Sequence, residues 1–586
     1  MEITINNQPV KVSENKTIMD ACQDLGIILP SLCYLKDVSK NASCGICVVE
    51  VKGVKSLVRS CITKLTDGME IITNSERVME ARKVNLELLL ANHTQDCLQC
   101  ERNQKCELQK LSSDFGLTEK RFGRTRKEYN YKDESSLSLV RDPDKCILCG
   151  RCVSVCSEMQ TVNAIDFSGR GLKSKISTYF DLGLGIVACT NCGQCALVCP
   201  TGAITEKSAI KQVWNAIRNP EKIVLVQTAP AIRIGIGEAM GLEEGSLDTG
   251  KMVAGLRKIG FSKVFDTNFT ADLTIIEEGN ELIHRLNNNG VLPMITSCSP
   301  GWIKFTEHFF PKLIDHLSSC KSPQQMFGAI AKTYYAEKMG IDPSNIIVVS
   351  VMPCTAKKYE ALRPGMDSAY QYHKANNTLN QDDFFYDVDA VLTTRELAKM
   401  FKEFGIDFAN LPEEQFDNPL GTSTGAAVIF GVTGGVMEAA LRTAYEIITG
   451  NQLSDINLTA VRGMTGIKEA EIDLNGTKIK VAVAHTLKNA RILLEQIENG
   501  NSPYTFIEIM TCPGGCLGGG GQPIPTNLEI RNKRAASIYR EDISKEIRKS
   551  HENPEIIKLY NDFLIQPLGK KSHSLLHTKY IKRDNY

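Results

Sequence analysis

Two stretches of this 586-residue chain, CILCGRCVSVC (146–156) and CTNCGQCALVCP (189–200), each set four cysteines at the spacing C-x2-C-x2-C-x3-C. Thiols so close together cannot all point into one apolar core, but they can wrap an inorganic centre. The chain holds 21 cysteines, an odd number, mostly in tight C-x2-C groups, and its N-terminus MEITINNQPVKV has no export pattern. Disulfide pairing is therefore the weaker reading, and soft metals, zinc or iron–sulfur clusters, the stronger one. Two zinc ribbons do not explain the triple C-x2-C-x2-C.

The doubled run is that of bacterial two-cluster ferredoxins, in which the fourth Cys of each run ligates the other cluster. One cluster is then expected on Cys146, Cys149, Cys152 and Cys199, and the other on Cys189, Cys192, Cys195 and Cys156. Upstream, residues 1–77 read as a small β-rich unit, with a hairpin predicted around Asn6-Asn7 and a late strand in MEIITNSE. Cys33, Cys44, Cys47 and Cys61 suit a two-iron cluster. Their gap of ten residues departs from the plant-type C-x4-C-x2-C spacing, and structural zinc is the alternative. Cys22, on a predicted helix, reads as a small buried residue. Residues 78–126 are expected to be helical and carry His93, Cys97, Cys100 and Cys106, a set that zinc also accepts. The three thiolates lack a fourth partner unless His93 supplies it; otherwise His93 is a solvated helix-end residue.

After about residue 208 short Val- and Ile-rich runs alternate with helix-like segments, which predicts α/β layers with buried strands. Cys298 in TSCSPGW, Cys354 in VMPCTAKKYE, and Cys512 and Cys516 in MTCPGGCLGGGGQP stand at expected strand or helix ends. Glycines 518–521 would let backbone approach a bulky ligand closely. Glu278, Glu281 and Arg285 share one helix face, which by pattern alone describes a salt-bridged solvated helix. Acidic and basic residues balance at 68 each, so nothing points to nucleic acid. No 18-residue apolar run argues for a membrane, and a cytoplasmic protein is expected. Residues 366–387 read as a surface insertion and the C-terminus as helix and tail.

TSCSPGW (296–302), MPCTAKKYE (352–360) and EIMTCPGGCLGGGGQP (508–523), following the cluster motifs, resemble the iron-only (FeFe) hydrogenases of the long clostridial type over essentially the whole chain. The resemblance implies a multidomain α+β and α/β protein. It comprises a β-grasp 2Fe-2S ferredoxin-like domain (1–77), a small helical domain with one histidine and three cysteines for a 4Fe-4S cluster (78–126), a two-cluster 4Fe-4S ferredoxin domain (139–207) and a large α/β catalytic domain (208–586), small-subunit-like from about 530. It implies one 2Fe-2S cluster, three accessory 4Fe-4S clusters and an H-cluster, a cubane bridged to a two-iron unit bearing CO, cyanide and a dithiolate amine. Cys354, Cys512 and Cys516 would hold the cubane with one residue of the first motif. Lys357 would donate to a cyanide, and Met352, Met510, Gln324 and Pro323 would line the pocket. Where the family reads T-S-C-C-P, this chain has Ser299, and a hydroxyl is a poor ligand for iron in a sulfur site. Either Cys298 takes over ligation or Cys320 supplies a thiol. Glu278, Glu281, Ser318 and Arg285 would form the proton relay, with Cys298 as its last member.

The activity implied is reversible reduction of protons to dihydrogen. Electrons would come from reduced ferredoxin or flavodoxin, and maturation proteins would install the two-iron unit. A second reading is the catalytic subunit of an NAD(P)-linked, electron-bifurcating complex. The chain has no G-x-G-x-x-G after a strand, so flavin and nicotinamide would reside in partner subunits. A third is a non-catalytic relative in hydrogen sensing or iron–sulfur assembly.

Overall fold

The computed structural model describes residues 1–379, 384–453, 456–474 and 477–584. Contacts divide the chain into two compact units, Met1–Val187 with Gln194–Thr205, and Ala188–Gly193 with Glu206–Tyr586.

The first unit opens on the expected hairpin, Glu2–Ile5 antiparallel to Gln8–Lys11. Asn6 and Asn7 both take positive φ, 48° and 67°, as a two-residue turn matched to strand twist requires. Glu2–Ile5 buries Ile3 and Ile5 and exposes alternate residues. A five-stranded sheet follows in the order Gln8–Lys11, Glu2–Ile5, Glu70–Ile72, Val48–Val51, Val58–Arg59. Helix Ile18–Asp24, started by a Thr17–Asp20 capping box, packs Ile18, Ala21 and Cys22 against this sheet. Cys22 is thus the small core residue expected. Beyond it come helices Glu76–Ala91 and Glu107–Asp114, then short strand pairs such as Asp166–Ser168 with Lys175–Ser177.

The second unit contains two four-stranded sheets. In one, Lys263–Asp266, Ile223–Thr228, Ile346–Met352 and Ala390–Thr393 run parallel in that order. Its central strands are buried on both faces, which explains their unbroken Val/Ile runs. In the other, Met294–Ile295, Phe506–Met510 and Thr477–His485 are parallel, and Ile467–Leu474 closes the edge antiparallel. Helices cover both sheets, among them Asn268–Asn287 and Gly435–Thr449.

Residues 366–387 are only in part the surface insertion expected. Helix Ser368–Ala375 buries Ala369, Tyr370 and His373, and Asp387 forms a fully buried ion pair with Lys321 (3.1 Å). Residues 374–378 are exposed, so the stretch is surface at its middle and anchored at its ends; its residues 380–383 lie outside the described ones. Among the described residues, no helix is long and apolar enough to cross a membrane.

Candidate active site and metal centres

Three motif segments start where parallel strands end. Met294–Ile295 runs into Thr296-Ser297-Cys298, Ile346–Met352 into Pro353-Cys354, and Phe506–Met510 into Thr511-Cys512. Ligands in open α/β sheets collect at such carboxyl ends. Here all three meet around one cavity lined by Cys298, Ser299, Cys354, Cys512 and Cys516, together with Pro323, Gln324, Met352, Lys357 and Met510. Backbone closes one wall, since a Cβ on Gly519 would lie 2.1 Å from the Pro353 carbonyl and one on Gly520 2.3 Å from that of Cys192. The Gly run therefore serves close approach of chain to chain. Cys192 lines the same cavity.

The donor set suits an iron–sulfur centre. Burial raises the thiols of Cys354 and Cys516, the latter to about 12, so each becomes a ligand only beside a cation. The backbone N–H groups of Lys357 and Ala356 oppose that rise at Cys354, and the buried Oε1 of Gln324 has no partner. Lys357 Nζ reaches the Cys298 carbonyl (3.1 Å) and Glu360 Oε2 (2.8 Å), and Glu360 also accepts from Ser322 and Gln324.

The first motif divides its two polar residues between two environments. Cys298 lies within electrostatic reach of Glu278, Lys357, Glu508 and Cys516. Ser299 sits at the N-cap of helix Pro300–Phe309 without capping it. Its hydroxyl pairs instead with Thr511 Oγ1 (2.8 Å) and accepts the Thr511 N–H (3.3 Å) beside Cys512. Cys320 is not a lining residue. Its fully buried thiol lies 3.8 Å from Glu281 Oε2 and 4.0 Å from His577 Nδ1.

The acids form a buried chain, not the solvated face that pattern alone describes. Glu278 is 1 % exposed, and its Oε2 has no hydrogen-bond partner. Burial first, then the charge of Glu281, push its carboxyl up to about 8, against hydrogen bonds from Ser318 and the Ser297 N–H. Ser318 Oγ donates to Glu281 Oε2 (2.9 Å), and Arg285 holds Glu281 Oε1 (2.7 Å). Arg285, 13 % exposed at its side chain, is the outermost member.

In the first unit, Cys33 and Cys44 lie 3.4 Å apart and Cys47 and Cys61 3.3 Å apart, all buried. In each pair the close partner thiol lowers one member, Cys33 and Cys47, and raises the other. Cys146, Cys149, Cys152 and Cys199 surround one cavity. His93 is largely enclosed, burial lowers it to about 4, and its Nδ1 is buried without a partner, so a neutral nitrogen is free to ligate. A Cβ on Gly202 would meet Cys100 Sγ at 2.7 Å, and Cys106 Sγ accepts the Gln109 N–H at 3.5 Å. Cys97 sits in the short turn Cys97–Gln99. Of the remaining set, Cys156 and Cys195 belong to the first unit, and Cys189 and Cys192 to the second.

Sequence reasoning did not single out Thr511, Glu360 or Glu508. Each stands inside a quoted motif, but only burial shows that Glu508, held by the N–H groups of Gly434 and Met437, faces the site electrostatically.

Residues 222–520 match the family "iron only hydrogenase large subunit, C-terminal domain" and 528–583 the "iron hydrogenase small subunit". Residues 1–76 match a 2Fe-2S iron–sulfur cluster binding domain, 82–121 the iron–sulfur binding region of NADH-ubiquinone oxidoreductase G, and 145–203 a 4Fe-4S dicluster domain. The NADP-reducing hydrogenase subunit HndD of Solidesulfovibrio fructosivorans is 50 % identical over 100 % of this chain and 99 % of its own. Iron hydrogenase 1 of Clostridium pasteurianum is 42 % identical over 99 % of this chain and 100 % of its own. The apo FeFe-hydrogenase HydA1 of Chlamydomonas reinhardtii superposes with a TM-score of 0.56 at 44 % identity, covering 64 % of this chain and 100 % of that one. With matched motifs converging on one thiol-lined cavity and full-length likeness on both sides of it, the chain belongs to the iron-only (FeFe) hydrogenases.

Proposed function

We propose that this chain catalyses the reversible reduction of protons to dihydrogen at an H-cluster held by Cys354, Cys512, Cys516 and Ser299. When bound, that group supplies the redox chemistry, and one 2Fe-2S and three 4Fe-4S accessory clusters supply its electrons. The observation that carries the reading is the buried, hydrogen-bonded series Ser318, Glu281, Arg285, with Glu278 and Cys298 in electrostatic reach of one another between it and the thiol-lined cavity. The residues hold protons in order. Arg285 orients Glu281, Ser318 links the two acids, and Glu278 keeps its proton near neutrality, where a relay acid must both accept and donate. Cys298 is the last proton-holding group, Lys357 would donate to a cyanide of the bound two-iron unit, and Met352, Met510 and Pro323 would exclude water.

Ser299 is read as the fourth cubane ligand, although a hydroxyl binds iron less well than a thiolate, because it lines the cavity beside Cys512 while Cys298 lies in reach of Glu278 and Cys320 lies off the cavity. Ser299→Ala is expected to lose cubane iron by iron analysis and paramagnetic resonance, and Ser299→Cys to retain it. Cys298→Ala is expected to keep the iron and lose hydrogen evolution; loss of iron there instead would make Cys298 the ligand.

Infrared spectroscopy of the matured chain tests the whole reading. Intrinsic CO and cyanide bands with dye-driven hydrogen evolution support it; their absence favours the sensing or assembly role. Reduced ferredoxin or flavodoxin is the proposed electron partner. The full-length likeness to a subunit of an NADP-reducing hydrogenase favours a second reading, in which partner subunits bring flavin and NAD(P). Hydrogen-dependent NADP reduction that appears only when such subunits are added would select it.

A further inference from the structure

One member of the relay, Glu281, also belongs to a cluster that does not line the cavity. Glu281 comes from helix Asn268–Asn287, Cys320 from the loop before helix Pro323–Ile330, and His577 from the end of helix Lys570–Leu576. All three are buried, and their ligand atoms lie within 4.8 Å of one another. Cys320 Sγ is 3.8 Å from Glu281 Oε2 and 4.0 Å from His577 Nδ1. Zinc bonds of about 2.3 Å to sulfur and 2.0 Å to nitrogen or oxygen make tetrahedral edges of about 3.5 Å. The two sulfur edges are within about half an ångström of that length, and side-chain rotation would close the rest.

The outer partners are in place as well. His577 Nε2 meets Glu277 Oε2 at 3.1 Å, the arrangement that turns the Nδ1 lone pair towards a metal. Glu277 is itself held by Tyr560 (2.5 Å), Ser572 (2.6 Å) and the Leu568 N–H (2.9 Å). Ser319 Oγ, 2.8 Å from His577 Nδ1, is the group an ion would displace, and it stands ready as fourth ligand. A thiol with an imidazole disfavours magnesium and calcium, which prefer oxygen, and favours zinc.

We propose that Glu281, Cys320 and His577 bind a zinc-class divalent cation, and that the bound ion inhibits the enzyme by withdrawing Glu281 from proton transfer. Three bonds form, to sulfur, nitrogen and oxygen. The cation sheds the corresponding waters, the Cys320 proton leaves to solvent, and no electron moves. The inhibitory half rests on the proposed relay; the binding half does not.

The test uses the full chain with its clusters in place, so that the other candidate ligand thiols are occupied. Co2+ is expected to give the visible bands of a tetrahedral thiolate site, and Zn2+ to bleach them. Cys320→Ala should abolish the bands, and His577→Gln should weaken Zn2+ binding at least tenfold. Glu277→Gln, which contributes no ligand, should weaken it by about 10- to 100-fold. Equal affinity in the parent and both ligand variants overturns the site. Binding that tracks the variants while hydrogen evolution stays unchanged at saturating Zn2+ overturns the inhibition. Because the Co2+ spectrum needs no activity, failure of the site and failure of the hydrogenase reading are distinguishable.

Discussion

At Glu278 burial decides the chemistry. Its carboxyl moves from an ordinary 4.5 to about 8, so the folded chain holds a proton that the unfolded chain releases between those values. The stability linked to this proton is present in full below about pH 4.5 and is lost as the pH rises through 8. Thermal inactivation of the parent is therefore expected to accelerate between pH 5 and pH 8 more than that of Glu278→Gln; parallel profiles would refute the shift. The same variant should lower hydrogen evolution about 10²- to 10⁴-fold with iron content unchanged. Lys357 and Glu360 make a contrasting pair, each needing the other. Lys357→Met strands the Glu360 carboxylate beside Ser322 and Gln324, and one-sided loss of a buried pair costs about 3–5 kcal/mol. Adding Glu360→Gln should recover part of the thermal midpoint, and a double variant no more stable than the single would count against the pairing.

Elements do their work here at their ends. Strands that stop at Ile295, Met352 and Met510 deliver motif residues to one place, and the helix after Ser299 begins without using its serine as a cap. The glycine run ties this site to the loop at Cys192. On Gly520 a methyl group would lie 2.3 Å from the Cys192 carbonyl and 2.9 Å from the Gly193 Cα, contacts with backbone that cannot swing aside. Gly520→Ala should cost about 1–3 kcal/mol, seen as a lower midpoint in a thermal scan. An unchanged midpoint would mean that the close approach does not constrain the fold.

Over the whole molecule, the first unit has only small apolar clusters, one of which includes Cys33, Cys44 and Cys149, whereas the second has a large core of its own. Metal loss should therefore be local. Cys149→Ala, in the cavity shared with Cys146, Cys152 and Cys199, is expected to remove about four irons from the chain and leave the infrared bands of the active site in place. Loss of those bands would show that the two units depend on each other for folding.

Sequence alone determined the thiol sets, the α/β character and the family resemblance, because metal ligation and strand patterning are written at separations of a few residues. Where the metal sets sit was legible for the same reason. Long-range burial decided the rest. It buried a helix face that reads as a salt-bridged surface, took Cys320 off the cavity, set the Ser299 hydroxyl against Thr511, and brought His577 to Glu277 across 300 residues of chain. No local pattern encodes such meetings; they follow from which faces two sheets and their helices must hide from water.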